Sequence, residues 1–287
     1  MYRSFAVRVD RIDRLSPNFL RVTLASAELA DLGRPGPDQR IKLVFPLPDT
    51  GFSTFPQCED WYGAWRGLPD ECRNPIRTYT IRDADPDARR LVVDFVAHGE
   101  TGPASRWVTH ARPGDELVVL GPDASSDVDS SGYEWRPGAA RTLLLAGDET
   151  ATPAVCAILE SLPADAAGAV FLEVPTVEDA LPVRAPAGVR VSWLARDGAH
   201  YGARLSHAVT SWAGAWATGP GTTDIPLDEE REILWEVPTG PDEGLYAWLA
   251  GESGAITRLR RHLVGELGID RSRVAFMGYW RFGRAEN

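Results

Sequence analysis

Arg77-Thr78-Tyr79-Thr80-Ile81-Arg82 is the stretch from which the rest of the chain can be read. Its mix of Thr, Ile and Tyr marks a strand, and the two-residue period puts Arg77, Tyr79 and Ile81 on one face and Thr78, Thr80 and Arg82 on the other. Runs of the same kind lie on both sides, at 5–12, 19–24, 41–45, 91–96 and 116–120, with clusters of Gly, Pro and Asp between them. Before residue 120 only 104–111 has helical spacing. Six short strands and one short helix predict a small antiparallel β barrel.

The polar run DASSDVDSSG at 123–132 interrupts this pattern and sets the expected boundary, giving domains of 1–134 and 135–287. Beyond it the rhythm becomes strand–helix alternation. Apolar runs at 142–146, 169–174, 189–194, 246–250 and 274–277 predict buried parallel strands, and 154–161, 203–212 and 254–267 predict helices between some of them. Ser253 suits the N-cap of the last helix and Gly268 its C-terminal stop. Residues 213–232 read as a solvated acidic loop. The expected fold is thus a barrel plus an open α/β sheet, a plan suited to joining two redox cofactors.

Composition bounds the chemistry. The chain has 287 residues, 44% hydrophobic and 25% charged, and a formal net charge of −11, which argues against general nucleic-acid affinity. The first residues carry charges every few positions, so they read as neither signal peptide nor membrane helix, and a cytoplasmic location is expected. Cys58, Cys72 and Cys156 have no metal-type spacing and read as free thiols, although pairing of Cys58 with Cys72 stays open. Between Gly254 and Asn287 seven arginines face three acids, which points to a local anion site.

Three stretches carry cofactor chemistry. In the first, Arg77 offers a cation for a pyrophosphate, Tyr79 an aromatic neighbour for a flavin ring, and Thr80 a hydrogen-bonding group for its reactive nitrogen. A surface strand with a buried tyrosine would look the same. In the second, His98-Gly99-Glu100-Thr101-Gly102-Pro103-Ala104-Ser105 leads into a helix whose first N–H groups suit an anion. The third, Leu145-Ala146-Gly147-Asp148-Glu149-Thr150-Ala151-Thr152-Pro153, is a strand, a tight loop and a helix start without the glycines of a dinucleotide loop. If it takes a nicotinamide nucleotide, Thr150 and the backbone must hold phosphate while Asp148 and Glu149 turn toward ribose hydroxyls or away.

RTYTIR, HGETGPASRW, AGDETATPA, WLAGES and MGYWRFGR, in this order, resemble the siderophore-interacting protein family, and the resemblance runs over essentially the whole chain. It implies a ferredoxin-reductase-like fold, with an FAD-binding barrel followed by an α/β domain for NADPH or NADH. It also implies a reductase that passes electrons to a ferric siderophore. FAD contacts are then expected from Arg77, Tyr79, Thr80, His98, Thr101, Gly102, Pro103, Ala104 and Ser105. Asp148, Glu149, Thr150, Trp248, Gly251, Glu252, Tyr279, Trp280 and Arg281 are expected around the nicotinamide, with Trp280 controlling access. Lys42, Arg258 and Arg261 are expected to form a basic surface for the ferric chelate. Arg196 suits a 2′-phosphate or plain solvent equally. Two other readings remain: electron transfer to a small redox protein, and a siderophore-binding module with vestigial redox activity.

Overall fold

A computed structural model describes residues 2–58, 60–97, 99, 102–126, 132–216, 233–238 and 244–284. They fall into two compact units, the described residues of 2–14 with 19–133, and those of 15–18 with 134–284.

The first unit is a seven-stranded antiparallel sheet made of β1 (Tyr2–Arg14), β2 (Phe19–Ala25), β3 (Arg40–Val44), β4 (Ile76–Thr80), β5 (Asp83–Asp85), β6 (Arg90–Val96) and β7 (Glu116–Pro122). Their order is β4-β3-β7-β1-β2-β6-β5. The two edge strands are consecutive in the chain. Between them Ile81 N–H donates to Gln39 O at 2.8 Å and Arg82 N–H to Val92 O at 2.9 Å. The sheet therefore rolls round, which leaves less exposed edge. Alternate residues such as Phe5, Val7, Val22, Leu24, Ile41, Leu43, Val93 and Phe95 fill its interior.

One helix of this unit was not expected. The β3–β4 connection contains α1 (Trp61–Arg66), capped by Asp60 and too short for hydrophobic periodicity to reveal. Phe55 and Trp65 there bury themselves against Val44, Val118 and Leu120 on the outside of the sheet. The expected helix is α2 (Pro103–His110). Cys58, Cys72 and Cys156 are all free thiols.

The second unit has β8 (Thr142–Gly147), β9 (Ala167–Val174), β10 (Gly188–Ala195), β11 (Trp235–Glu236), β12 (Leu245–Glu252) and β13 (Val274–Trp280) in the order β10-β9-β8-β12-β13-β11. All neighbours are parallel except the short β11, which sequence reasoning missed. Helices α3 (Thr152–Ser161), α4 (Ala203–Ala213) and α5 (Ser253–Arg260) cover the sheet, and α5 continues as a π-helical turn, Arg261–Glu266. Every residue of β12 is buried, as a central parallel strand requires. The strand order grows outward from β8 to β10, then reverses across β8 to β12 and β13. The carboxyl ends of β8 and β12 thus flank the topological switch point where open α/β sheets place ligands.

The expected loop at 213–232 is only partly described: Gly214–Trp216 is a 3-10 turn, and 217–232 lie outside the described residues. Glu252, and not Ser253, caps α5, its carboxylate accepting from Ala255 N–H at 2.8 Å.

Candidate functional site

In the first unit the candidate residues lie on β4 and at the start of α2. Tyr79 packs on Phe95 with ring centroids 4.5 Å apart, and Phe95 packs on Trp107 of α2 at 5.8 Å. This aromatic stack locks the strand that carries Arg77 to the helix. Arg77 is half-buried and donates to its own strand's Ile76 O at 2.7 Å, which leaves most of its guanidinium N–H groups for an anion. Thr80 is buried at the end of β4. Gly102 stands at the N-cap of α2, and among the described residues it has no side-chain capping bond and nothing lies within 4 Å of where a Cβ on Gly102 or Gly99 would stand. Pro103 follows at the first turn, ahead of Ala104 and Ser105. An open, uncapped helix start suits an anionic group. His98 and Thr101 lie outside the described residues.

In the second unit Asp148 occupies the switch point. Its Oδ1 accepts from Thr150 N–H at 2.9 Å and Thr150 Oγ1 at 2.6 Å. Its Oδ2 accepts from Glu252 N–H at 2.7 Å and from Trp280 Nε1 at 2.8 Å. One carboxylate therefore ties the ends of β8, β12 and β13 together. Gly251 makes this possible: its φ is +151°, and a Cβ there would stand 2.7 Å from the Asp148 carboxylate. Burial, and then the charge of Glu149, push Asp148 up to about 6, against the pull of the Thr150 and Trp280 hydrogen bonds.

The folded state holds a proton on Asp148 between its ordinary 3.8 and about 6, where the unfolded chain has released it. The resulting stabilisation is complete below the unfolded value and lost as pH rises through about 6. Thermal unfolding of wild type and Asp148→Asn should therefore differ by a pH-dependent amount, changing by about 1–1.5 kcal/mol between pH 8 and pH 5. A difference that stays flat over that range would exclude the shift.

Glu149 and Arg196 turn away from the surface. Arg196 forks onto Glu149 with two 2.8 Å bonds and approaches Glu173 at 3.5 Å. Both glutamates are fully buried and Arg196 is 7% exposed. Burial opposes the guanidinium's charge, but the hydrogen bonds and charge of Glu149, with Tyr201 and Glu173 adding, hold its pKa above the ordinary range. The expectation that Arg196 meets a 2′-phosphate or solvent is thus corrected: it is an internal cation. Glu173 also accepts from Gly202 N–H at 2.8 Å and Leu205 N–H at 2.9 Å, fixing the start of α4.

Tyr201, which sequence reasoning passed over, lies 4.1 Å from the Arg196 guanidinium. Its ring meets Trp280 edge-on at 4.7 Å and Phe282 at 5.6 Å. Phe282 N–H donates to Glu252 Oε1 at 3.3 Å and its side chain is 70% exposed. The chain after β13 is thus fastened by two acids and an aromatic cluster. Trp248 is wholly buried, with Tyr279 edge-on to it at 6.2 Å, and Arg281 is half-buried. On α5 the buried face is Ile256, Leu259 and Leu263. Arg260 is buried and paired with Glu236, while Arg258 and Arg261 are exposed. Lys42, in the first unit, is exposed on β3 with Nζ 3.3 Å from Thr78 Oγ1.

Comparison with known proteins identifies the family and the fold. Residues 8–126 match the siderophore-interacting FAD-binding domain, and 140–283 match the siderophore-interacting protein model. Ferric vibriobactin reductase ViuB of Vibrio cholerae is 31% identical over 272 residues, covering 95% of this chain and 87% of its own. The crystal structure of siderophore-interacting protein SipS from Aeromonas hydrophila is 32% identical with a TM-score of 0.70, covering 99% and 94% of the two chains. A ferredoxin NADP+ reductase from Neisseria gonorrhoeae with bound FAD and NADP, 12% identical, shares the fold with a TM-score of 0.58 over 96% and 99%. The chain belongs to the siderophore-interacting protein family.

Proposed function

We propose that this chain is a flavin-dependent ferric-siderophore reductase, which carries electrons from NADH or NADPH through FAD to a chelated ferric ion and frees Fe(II) in the cytoplasm. What chiefly supports the reading is the pairing, in one chain, of an FAD-domain match with a doubly wound sheet whose switch point holds Trp280 on Asp148. The likeness to ViuB adds the substrate class.

The residues of the first unit fit FAD. Arg77 and the uncapped start of α2 at Gly102, Pro103, Ala104 and Ser105 supply positive potential for its pyrophosphate, with His98 and Thr101 added by the family pattern. Tyr79 presents an aromatic surface and Thr80 a hydroxyl. Bound FAD supplies the exchange between a two-electron donor and a one-electron acceptor. Around the nicotinamide stand Trp280, Thr150, Gly251, Glu252, Tyr279 and Arg281. Glu149 and Trp248 support this group from inside. No side-chain nucleophile is needed, so the chain's work is orientation and exclusion of water. Siderophores hold Fe(III) by hard oxygen donors that suit Fe(II) poorly, so reduction loosens the metal without breaking the chelator. Among the described residues no helix is long and apolar enough to cross a membrane.

Lys42, Arg258 and Arg261 are proposed to receive the chelate, because catecholate and carboxylate complexes of Fe(III) are anionic. Arg258→Ala with Arg261→Ala should weaken turnover of an anionic ferric siderophore far more than of a neutral one, and the loss should shrink as salt rises. Flavin content and nicotinamide oxidation without substrate should stay normal. Equal losses for both chelates would move the substrate site elsewhere.

A further inference from the structure

Dinucleotide-binding sheets read the adenosine half of the donor with three devices: free loop N–H groups over the pyrophosphate, an acid at the end of the second strand on the ribose, and an arginine nearby for a 2′-phosphate. All three positions here are engaged inside the protein. In the β8–α3 loop, Thr150 N–H donates to the Asp148 carboxylate at 2.9 Å. Ala151 and Thr152 N–H donate to Asp148 O at 3.0 and 3.1 Å, and the next residue, Pro153, has no N–H. Four consecutive residues thus offer a phosphate no free backbone donor, and Asp148 and Glu149 add negative charge beneath it.

At the end of β9 stands Glu173, the acid at the place of the ribose ligand. Both its oxygens accept from α4 N–H groups, and Arg196 lies 3.5 Å away. Gly202 holds this arrangement, with φ +76° and a hypothetical Cβ only 2.2 Å from that of Ala255. At the end of β10, Arg196 is committed to Glu149, and the next residue, Asp197, is an exposed acid. Turning any of these groups outward would leave a buried partner without its hydrogen bonds.

We infer that the second unit recognises its electron donor by the dihydronicotinamide end and hardly at all by the adenosine and pyrophosphate. Its donor class then extends to short dihydronicotinamides, such as reduced nicotinamide mononucleotide. The inference rests on the proposed nicotinamide-to-FAD reading. The donor's ring loses a hydride, two electrons with one proton, to FAD and leaves as the oxidised pyridinium. With the adenosine half unread, the 2′-phosphate also loses its influence.

Two measurements on the FAD-loaded full chain test this. Anaerobic flavin reduction should give second-order rate constants for reduced nicotinamide mononucleotide, NADH and NADPH that lie within about tenfold of one another. Calorimetric titration with ADP-ribose and with 2′,5′-ADP should show no binding at millimolar concentrations. A mononucleotide at least about a hundredfold slower than NADH, equivalent to the loss of one or two charge-assisted phosphate contacts, would overturn the inference. Micromolar binding of either adenosine fragment would overturn it independently of any redox activity. If none of the three donors reduces the flavin, the donor reading itself fails and the inference with it. Because ADP-ribose binding is read without turnover, the two failures can be told apart.

Discussion

Arg77→Ala should fold normally yet bind FAD tenfold to a hundredfold more weakly. The guanidinium is held half-buried on β4, and removing a charge-assisted contact to a phosphate costs about 1.5–3 kcal/mol. Its aromatic support should be untouched, because Tyr79, Phe95 and Trp107 pack on one another without it. The check is flavin stoichiometry after dialysis, with far-ultraviolet circular dichroism as the control for folding. A variant that keeps its full flavin through extended dialysis would show that the pyrophosphate lies elsewhere.

The second large effect concerns stability. Arg196→Met should destabilise the second unit by about 3–5 kcal/mol, because it strands two buried carboxylates without their cation. Glu149 and Glu173 are both fully buried, and Glu173 keeps the N–H groups of Gly202 and Leu205 as donors. Combining Arg196→Met with Glu149→Gln should recover part of that loss, since one of the two buried carboxylate charges is then gone. Chemical denaturation of the two single variants and the double variant measures the coupling. Strictly additive losses would mean that the pair does not act as a unit.

Much of the fold was legible because its signals are local. Six strands of the first unit and five of the second have apolar runs bounded by Gly, Pro and Asp, and all eleven occur near their expected bounds. What was missed lacks that signal. β5 is Asp-Ala-Asp and β11 is two residues, each paired by sheet context alone. α1 is buried through Trp65, whose Nε1 donates to Asn74 O, with Trp61 four residues earlier packed on the same cluster, and a single such pair in six residues is too short a run to mark a helix.

The candidate site was half legible in the same sense. Arg77, Gly102 and Trp280 stand out because each residue type breaks its local pattern. The destinations of Glu149, Glu173 and Arg196 were not readable, because a charge in a short loop looks alike whether it meets solvent or a partner 47 residues away. Tyr201 is a single aromatic between two glycine-containing turns, and only the tertiary fold brings it to Trp280. The capping acid Glu252 stands immediately before α5 and accepts from the N–H of Ala255, the third residue of the helix, but the serine beside it, at the first helical position, carries the more familiar capping side chain.

The central claim is a complete electron path, and one anaerobic stopped-flow experiment follows it from end to end. FAD-loaded protein is mixed first with NADH or NADPH, then with a ferric siderophore and a chromogenic ferrous chelator. The flavin band should bleach in the first mixing and return in the second, with two Fe(II) trapped per flavin reoxidised, as the electron balance requires. Bleaching without reoxidation by any ferric siderophore, while a small redox protein restores the band, would contradict the account and assign the electrons to a protein acceptor.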